Sequence, residues 1–207
     1  MREDKCRGSQ CTLVVGDQRS PLQEAGWQEN SIFAYNRCME ARKRNRLAGH
    51  DYSQYGWYFI TVCTKGMQEW CGEVRNGEMV MDECGNAVAQ QWQWLAVQYE
   101  YVELDEFVVM PNHFHGIIII HNSNVGTGRD LSLQVKVKPL SALIGAFKTT
   151  SSKLIHSLGY HDFAWQRSFY DHIIRGDEAL EKIRVYIRNN PLNWDLEKGK
   201  PDNYLPL

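Results

Sequence analysis

The sequence predicts an α+β fold, a mostly antiparallel sheet with helices packed on it. Three observations carry that expectation. Strand-like and helix-like segments are interleaved without strict β–α–β alternation. An Asn-Gly pair, Asn76–Gly77, sits between two short alternating segments, a hairpin signal. Two strand-like runs, 101–110 and 114–121, follow one another across the turn or kink at Pro111–Asn112.

In chain order, WYFITVCT (57–64) is dense in β-branched and aromatic residues and reads as a strand. GEVRNGEMVMDE (72–83) is the hairpin. From Asn86 to Tyr99, Val88, Trp92, Leu95 and Tyr99 recur at i, i+4, i+7 and i+11, one face of a helix. YVELDEFVVM (101–110) alternates as a strand does, and FHGIIIIH continues as a second. Residues 122–138, rich in Gly, Ser and Asn at first, predict a surface loop. The stretch 139–158 starts with Pro and carries Leu143, Phe147, Leu154 and Leu158 at helical spacing. SFYDHIIR (168–175) suits a strand. Asp177 is a good N-cap with Glu178 in the first turn, and the last helix is expected to stop at Pro191.

Residues 1–34 show no sustained periodicity and are expected to be a poorly ordered extension, with 35–207 a single domain. The 207 residues, 43% apolar and 23% charged, are enough for an ordinary core. No apolar run reaches about 18 residues, and no apolar stretch follows the first charges, so a cytoplasmic location is expected. Six cysteines, none in a CxxC pair, predict reduced thiols rather than a disulfide framework or a zinc ribbon. The formal net charge of −2 favours no partner by itself, but residues 37–46 hold five basic side chains against one acid.

His113 and His115 pose the chemical question. On a strand, residues i and i+2 share a face, about 6.5–7 Å apart, while Phe114 turns to the other side. Two imidazoles so placed can converge on one divalent ion. His121 and His172 lack such a partner and read as structural. On the last helix, Tyr186 and Asn190 lie one turn apart, beside the apolar stripe of Leu180, Ile183 and Ile187. Asn190 adds an oxygen suited to a hard ion such as Mg²⁺ or Mn²⁺.

The blocks MPNHFHG, WQRSFYDHIIR and IRVYIRNNPLNW, in that order, resemble the HUH single-tyrosine transposases. More narrowly, they resemble the REP-associated tyrosine transposase branch, relatives of the small insertion-sequence transposases that move single-stranded DNA. The likeness runs from about residue 35 to 195 and includes DYSQYGWYFITVCT (51–64) and the run Val102–Ile120. It implies the HUH endonuclease fold, a ferredoxin-like antiparallel sheet flanked by helices. It implies that His113, His115 and Asn190 hold Mg²⁺ or Mn²⁺, and that Tyr186 is the nucleophile forming a 5′-phosphotyrosine. Tyr170, in SFYD, is the runner-up nucleophile, and His172 is one candidate for taking the phenolic proton. The implied partner is single-stranded DNA with a hairpin. Arg42, Lys43, Arg44, Arg46, Lys148, Lys153, Arg184 and Arg188 are the candidate backbone contacts. Trp165, Phe169 and Tyr170 are candidates for stacking unpaired bases. Dimer-forming relatives can place the tyrosine helix across an interface, so a homodimer is an arrangement the resemblance allows. Two other functions remain open at this point. One is a nicking enzyme of the replication-initiator or relaxase kind; the other is a domesticated hairpin-DNA binder that no longer cuts.

Overall fold

The computed structural model describes residues 47, 49–121 and 136–198. The extension 1–34, the basic segment with Arg42, Lys43, Arg44 and Arg46, and residues 122–135 of the expected loop lie outside the described residues.

The first strand, β1 (Gly56–Cys63), is buried along most of its length, as its aromatic and β-branched content demands. The hairpin follows as β2 (Gly72–Arg75) and β3 (Glu78–Met81). Its turn residues Asn76 and Gly77 have φ of 53° and 75°, the left-handed pair that a two-residue hairpin loop requires. Helix α1 (Glu83–Gln98) starts three residues before the periodicity suggests, because Asp82 caps it by accepting from the Gly85 amide at 2.8 Å. Strands β4 (Val102–Val109) and β5 (His113–Ile120) come next, then α2 (Leu140–Ser157), β6 (Tyr170–Ile174) and α3 (Asp177–Lys198).

Four strands form one sheet in the order β4-β5-β1-β6, every neighbouring pair antiparallel; β2 and β3 pair separately. With the hairpin set aside, the succession β1-α1-β4-β5-α2-β6 in that spatial order is the ferredoxin-like split βαβ arrangement. The fold is therefore α+β with a ferredoxin-like antiparallel sheet, as expected.

The two faces of the sheet are covered differently. Phe114, Ile118 and Ile120 of β5 belong to the core shared with α1 and α2, where Trp92 and Phe147 pack on Phe114 at ring-centroid distances of 4.7 and 5.2 Å. Ile117 belongs to a second cluster with Phe59, Ile174 and the α3 residues Leu180, Ile183 and Ile187. The period-two alternation of β5 thus sends its odd-numbered residues toward α3.

Three expectations are corrected. Helix α3 does not stop at Pro191 but runs through it. Proline in a helix interior removes one i→i−4 hydrogen bond and costs about 3 kcal/mol unless packing compensates. Here Pro191 is buried, Trp194 packs on His113, and Asp195 Oδ2 accepts from the Gly77 amide at 3.0 Å, so tertiary contacts carry the helix onward. Asp177 lies inside the helix rather than capping it. Cys71 and Cys84 are free and buried, as scattered thiols should be, whereas Cys63 is disulfide-bonded. No helix among the described residues is long and apolar enough to cross a membrane.

Candidate active site

Strand β5 begins the site. Its register with β1 sets Thr61 opposite His115 and Cys63 opposite His113. The two imidazoles have ring centroids 4.7 Å apart, His115 wholly buried and His113 half-buried. Gly116, next in the strand, faces the opposite core, where an added Cβ would stand 2.8 Å from the Trp92 ring. A glycine is needed there so that the strand bearing the histidines can lie close over α1.

Each imidazole is oriented through its Nδ1. His113 Nδ1 lies 2.7 Å from Asn112 Oδ1, and His115 Nδ1 lies 2.9 Å from Thr61 Oγ1. Asn112 Oδ1 can only accept, so it places the proton of neutral His113 on Nδ1 and leaves Nε2 for chemistry, while the Thr61 hydroxyl orients the His115 ring. Asn112 is itself held, since its Nδ2 donates to the Met67 carbonyl at 3.3 Å and its own carbonyl accepts from the Thr64 amide at 2.9 Å. Burial pulls the His113 pKa down to about 4, opposed by a hydrogen bond with the Asn190 side chain. Burial also takes His115 well below the ordinary histidine value, and His113 beside it adds to this. Both rings are therefore neutral near pH 7, the form that ligates metals.

Helix α3 supplies the rest. Tyr186, Asn190 and Trp194 recur every four residues and so face the sheet together. Tyr186 Oη is 3.4 Å from His115 Nε2, and its ring meets His115 and Phe59 edge-on, at 5.4 and 6.0 Å between centroids. Asn190 is buried against His113, and its Nδ2 has no hydrogen-bond partner. Trp194 stands 5.7 Å from His113 between ring centroids.

The donor set fits a divalent ion. Two neutral imidazoles with Nδ1 engaged and a buried carboxamide lie together, and a buried amide nitrogen without a partner marks a polar cluster that its own atoms do not satisfy. Among the described residues no group of three His, Cys, Asp or Glu gathers anywhere, and here the third donor would be the Asn190 carboxamide oxygen.

The structure brings together His113, His115, Tyr186 and Asn190, all from one chain. Tyr170 shares their face of the sheet, opposite Thr61 on β6, but stands two strands from His115, about 10 Å at the usual spacing. His172 faces the same way, opposite Phe59. The expected DNA-facing cations fare differently. Lys148 donates to the carbonyls of Gln166, Arg167 and Ser168, which draws its ammonium into the protein. Burial lowers its pKa to about 8. Arg184 and Arg188 are bound to carboxylates of β4 and α3, whereas Lys153 is exposed. Trp165 is buried and donates to Ser151 Oγ at 3.0 Å, a packing role rather than a base platform.

Sequence reading missed three contributors. Asn112 reads as a turn residue, Thr61 as one more β-branched strand position, and Trp194 falls beyond the expected helix end. The register of β1 with β5 and the passage of α3 through Pro191 are what reveal them.

Fold and site define a class: a ferredoxin-like chain whose last helix lays a tyrosine and an asparagine over a His-x-His strand. The chain belongs to one family with an uncharacterized protein of Haemophilus influenzae, 33% identical over 173 residues, which span 79% of this chain and 96% of that protein. No protein-family model matches the chain. Among solved structures it is similar to a REP-associated tyrosine transposase bound to a REP hairpin (18% identity, TM-score 0.48, 74% of each chain). It is also similar to a proposed transposase from Deinococcus radiodurans (18% identity, TM-score 0.39, 70% of this chain and 95% of that one).

Proposed function

We propose that the protein is a metal-dependent tyrosine transposase of the HUH kind, cleaving and rejoining single-stranded DNA beside a hairpin. The observation that carries this reading is the meeting of Tyr186 Oη with His115 Nε2 at 3.4 Å, beside His113 and the buried Asn190.

His113, His115 and Asn190 would hold Mg²⁺ or Mn²⁺, which when bound supplies charge neutralisation and polarisation of the scissile phosphate. Tyr186 Oη attacks phosphorus, forming the phosphotyrosine O–P bond as the P–O3′ bond breaks. The phenolic proton ends on the departing 3′-oxygen, giving a free 3′-OH. Attack by another 3′-OH reverses the sequence and restores the phenol, so no nucleotide cofactor is consumed. Phe59 and His115 wall the phenol on two sides and limit its rotamers.

The test incubates the protein with labelled hairpin-bearing single strands and Mn²⁺ and looks for a protein–DNA adduct on a denaturing gel. The adduct is expected from the wild type and from Tyr170→Phe, and is expected to vanish in Tyr186→Phe. The reverse pattern would remove Tyr186 from the role.

A further inference from the structure

Strand β4 has a bulge between Leu104 and Phe107, where its register with β5 shifts. Leu104 and Phe107 are three residues apart, yet both pack on the core shared with α1 and α2. Regular alternation would send them to opposite faces. The irregularity instead puts two consecutive carboxylates, Asp105 and Glu106, within reach of α3.

Both carboxylates are engaged there. Arg184 Nε donates to Asp105 Oδ1 and Oδ2 at 3.2 Å each, and its Nη2 donates to Oδ2 as well. Arg188 Nη1 donates to Glu106 Oε1 at 3.1 Å and Nη2 to Glu181 Oε1 at 2.7 Å, while Arg184 Nη1 stands 3.6 Å from Glu181 Oε2. The Arg184–Asp105 pair is sheltered, with side chains 31% and 15% exposed, unlike the ordinary surface pair Lys182–Glu178 at 56% and 86%.

Tyr186 lies between the two arginines in sequence but on the other flank of the helix, so the clamp acts on it through the rotation of α3. We propose that the β4 bulge and its Arg184/Arg188 clamp are a positioning device that fixes the rotation of α3 and so aims Tyr186 at His115; its meaning for catalysis rests on Tyr186 being the nucleophile. The apolar contacts under α3 are non-directional, and the directional Asp195–Gly77 bond holds the helix only beyond Pro191, so neither alone sets the rotation of the turn that carries Tyr186. A roll of about 20° sweeps a side-chain tip some 5–6 Å from the axis through about 2 Å. A forked guanidinium on a carboxylate resists that roll, because its hydrogen bonds have fixed directions. Arg184 and Arg188 are then positioning residues, not phosphate contacts.

The experiment places 3-fluorotyrosine at position 186 and records its fluorine resonance in the DNA-free protein, alongside cleavage kinetics on a hairpin strand with Mn²⁺. In Asp105→Asn the resonance is expected to shift or broaden, and in Asp105→Glu to return toward the wild-type position. The kcat of adduct formation in Asp105→Asn should fall about tenfold, with KM for the strand within about twofold of wild type. Should Asp105→Asn fail to fold, judged by its thermal transition, Glu106→Gln gives the same readout on the exposed half of the clamp. A resonance and a kcat unchanged in both Asp105→Asn and Arg184→Gln would overturn the proposal. So would a raised KM at constant kcat in Arg184→Gln, which would return that guanidinium to the DNA. If the wild type forms no adduct at all, the transposase reading falls, while the fluorine resonance still decides whether the bulge aims the ring.

Discussion

One strand, β5, serves two faces of the sheet, and the faces follow different rules. Toward α1 and α2 it offers Phe114, Gly116, Ile118 and Ile120, an aromatic and aliphatic interior in which shape is everything. Toward α3 it offers His113, His115 and Ile117, so that a polar cluster opens at one end of a small apolar patch. The face toward α1 and α2 carries most of the packing, while the face toward α3 carries imidazoles that an apolar core would reject. Interrupting an otherwise apolar run with histidines is tolerable only because every second residue answers to a different neighbour.

That division can be broken on purpose. The largest stability effect should come from Phe114→Ala, expected to cost about 3–5 kcal/mol in denaturant unfolding, because Trp92, Phe107 and Phe147 all lose a ring partner. A comparable loss from His115→Ala would erase the distinction between the faces. Next, Mn²⁺ at about 100 times its dissociation constant should stabilise the wild type by about 2.7 kcal/mol, read as a rise in Tm. The rise should disappear in His115→Ala and persist in Tyr170→Phe. Gly116→Ala comes third, at about 1–3 kcal/mol from overpacking, since the new methyl meets the Trp92 ring. A further probe is pH, whose effect is small near neutrality and grows as acid is added. Both site histidines have folded pKa values below their unfolded ones, so below about 6.5 the unfolded chain binds more protons than the folded one. Stability of the metal-free protein should therefore fall as pH drops from about 6.5 toward 4, by at most about 1.4 kcal/mol per unit for each ring. The His113→Ala, His115→Ala double variant should flatten that slope.

The legible parts of the fold were those in which neighbouring residues decide. The Asn76–Gly77 turn, the aromatic run of β1 and the alternation around Phe114 are local signals, and each leads to the element observed. The meeting of His113, His115, Tyr186 and Asn190 was legible too, through strand and helix periodicity joined to a family likeness. What stayed hidden depends on partners distant in the chain. Nothing local says that α3 passes Pro191, because the compensation comes from Gly77 and His113. Nothing local says that Asp105 and Glu106 point the same way, because the bulge exists only in pairing with β5. Nor does anything local say that Arg184 and Arg188 meet carboxylates, and Lys148 backbone carbonyls, within the protein itself.

The stretch of α3 after its proline has a practical bearing on how short the protein can be made. A version severed after Asn190 would retain His113, His115, Tyr186 and Asn190, yet it would lose the indole beside His113 and the carboxylate that grips the hairpin turn. The smallest well-packed unit is thus longer than the span from His113 to Asn190, and a fusion joint or stop codon at the proline would strip away both contacts.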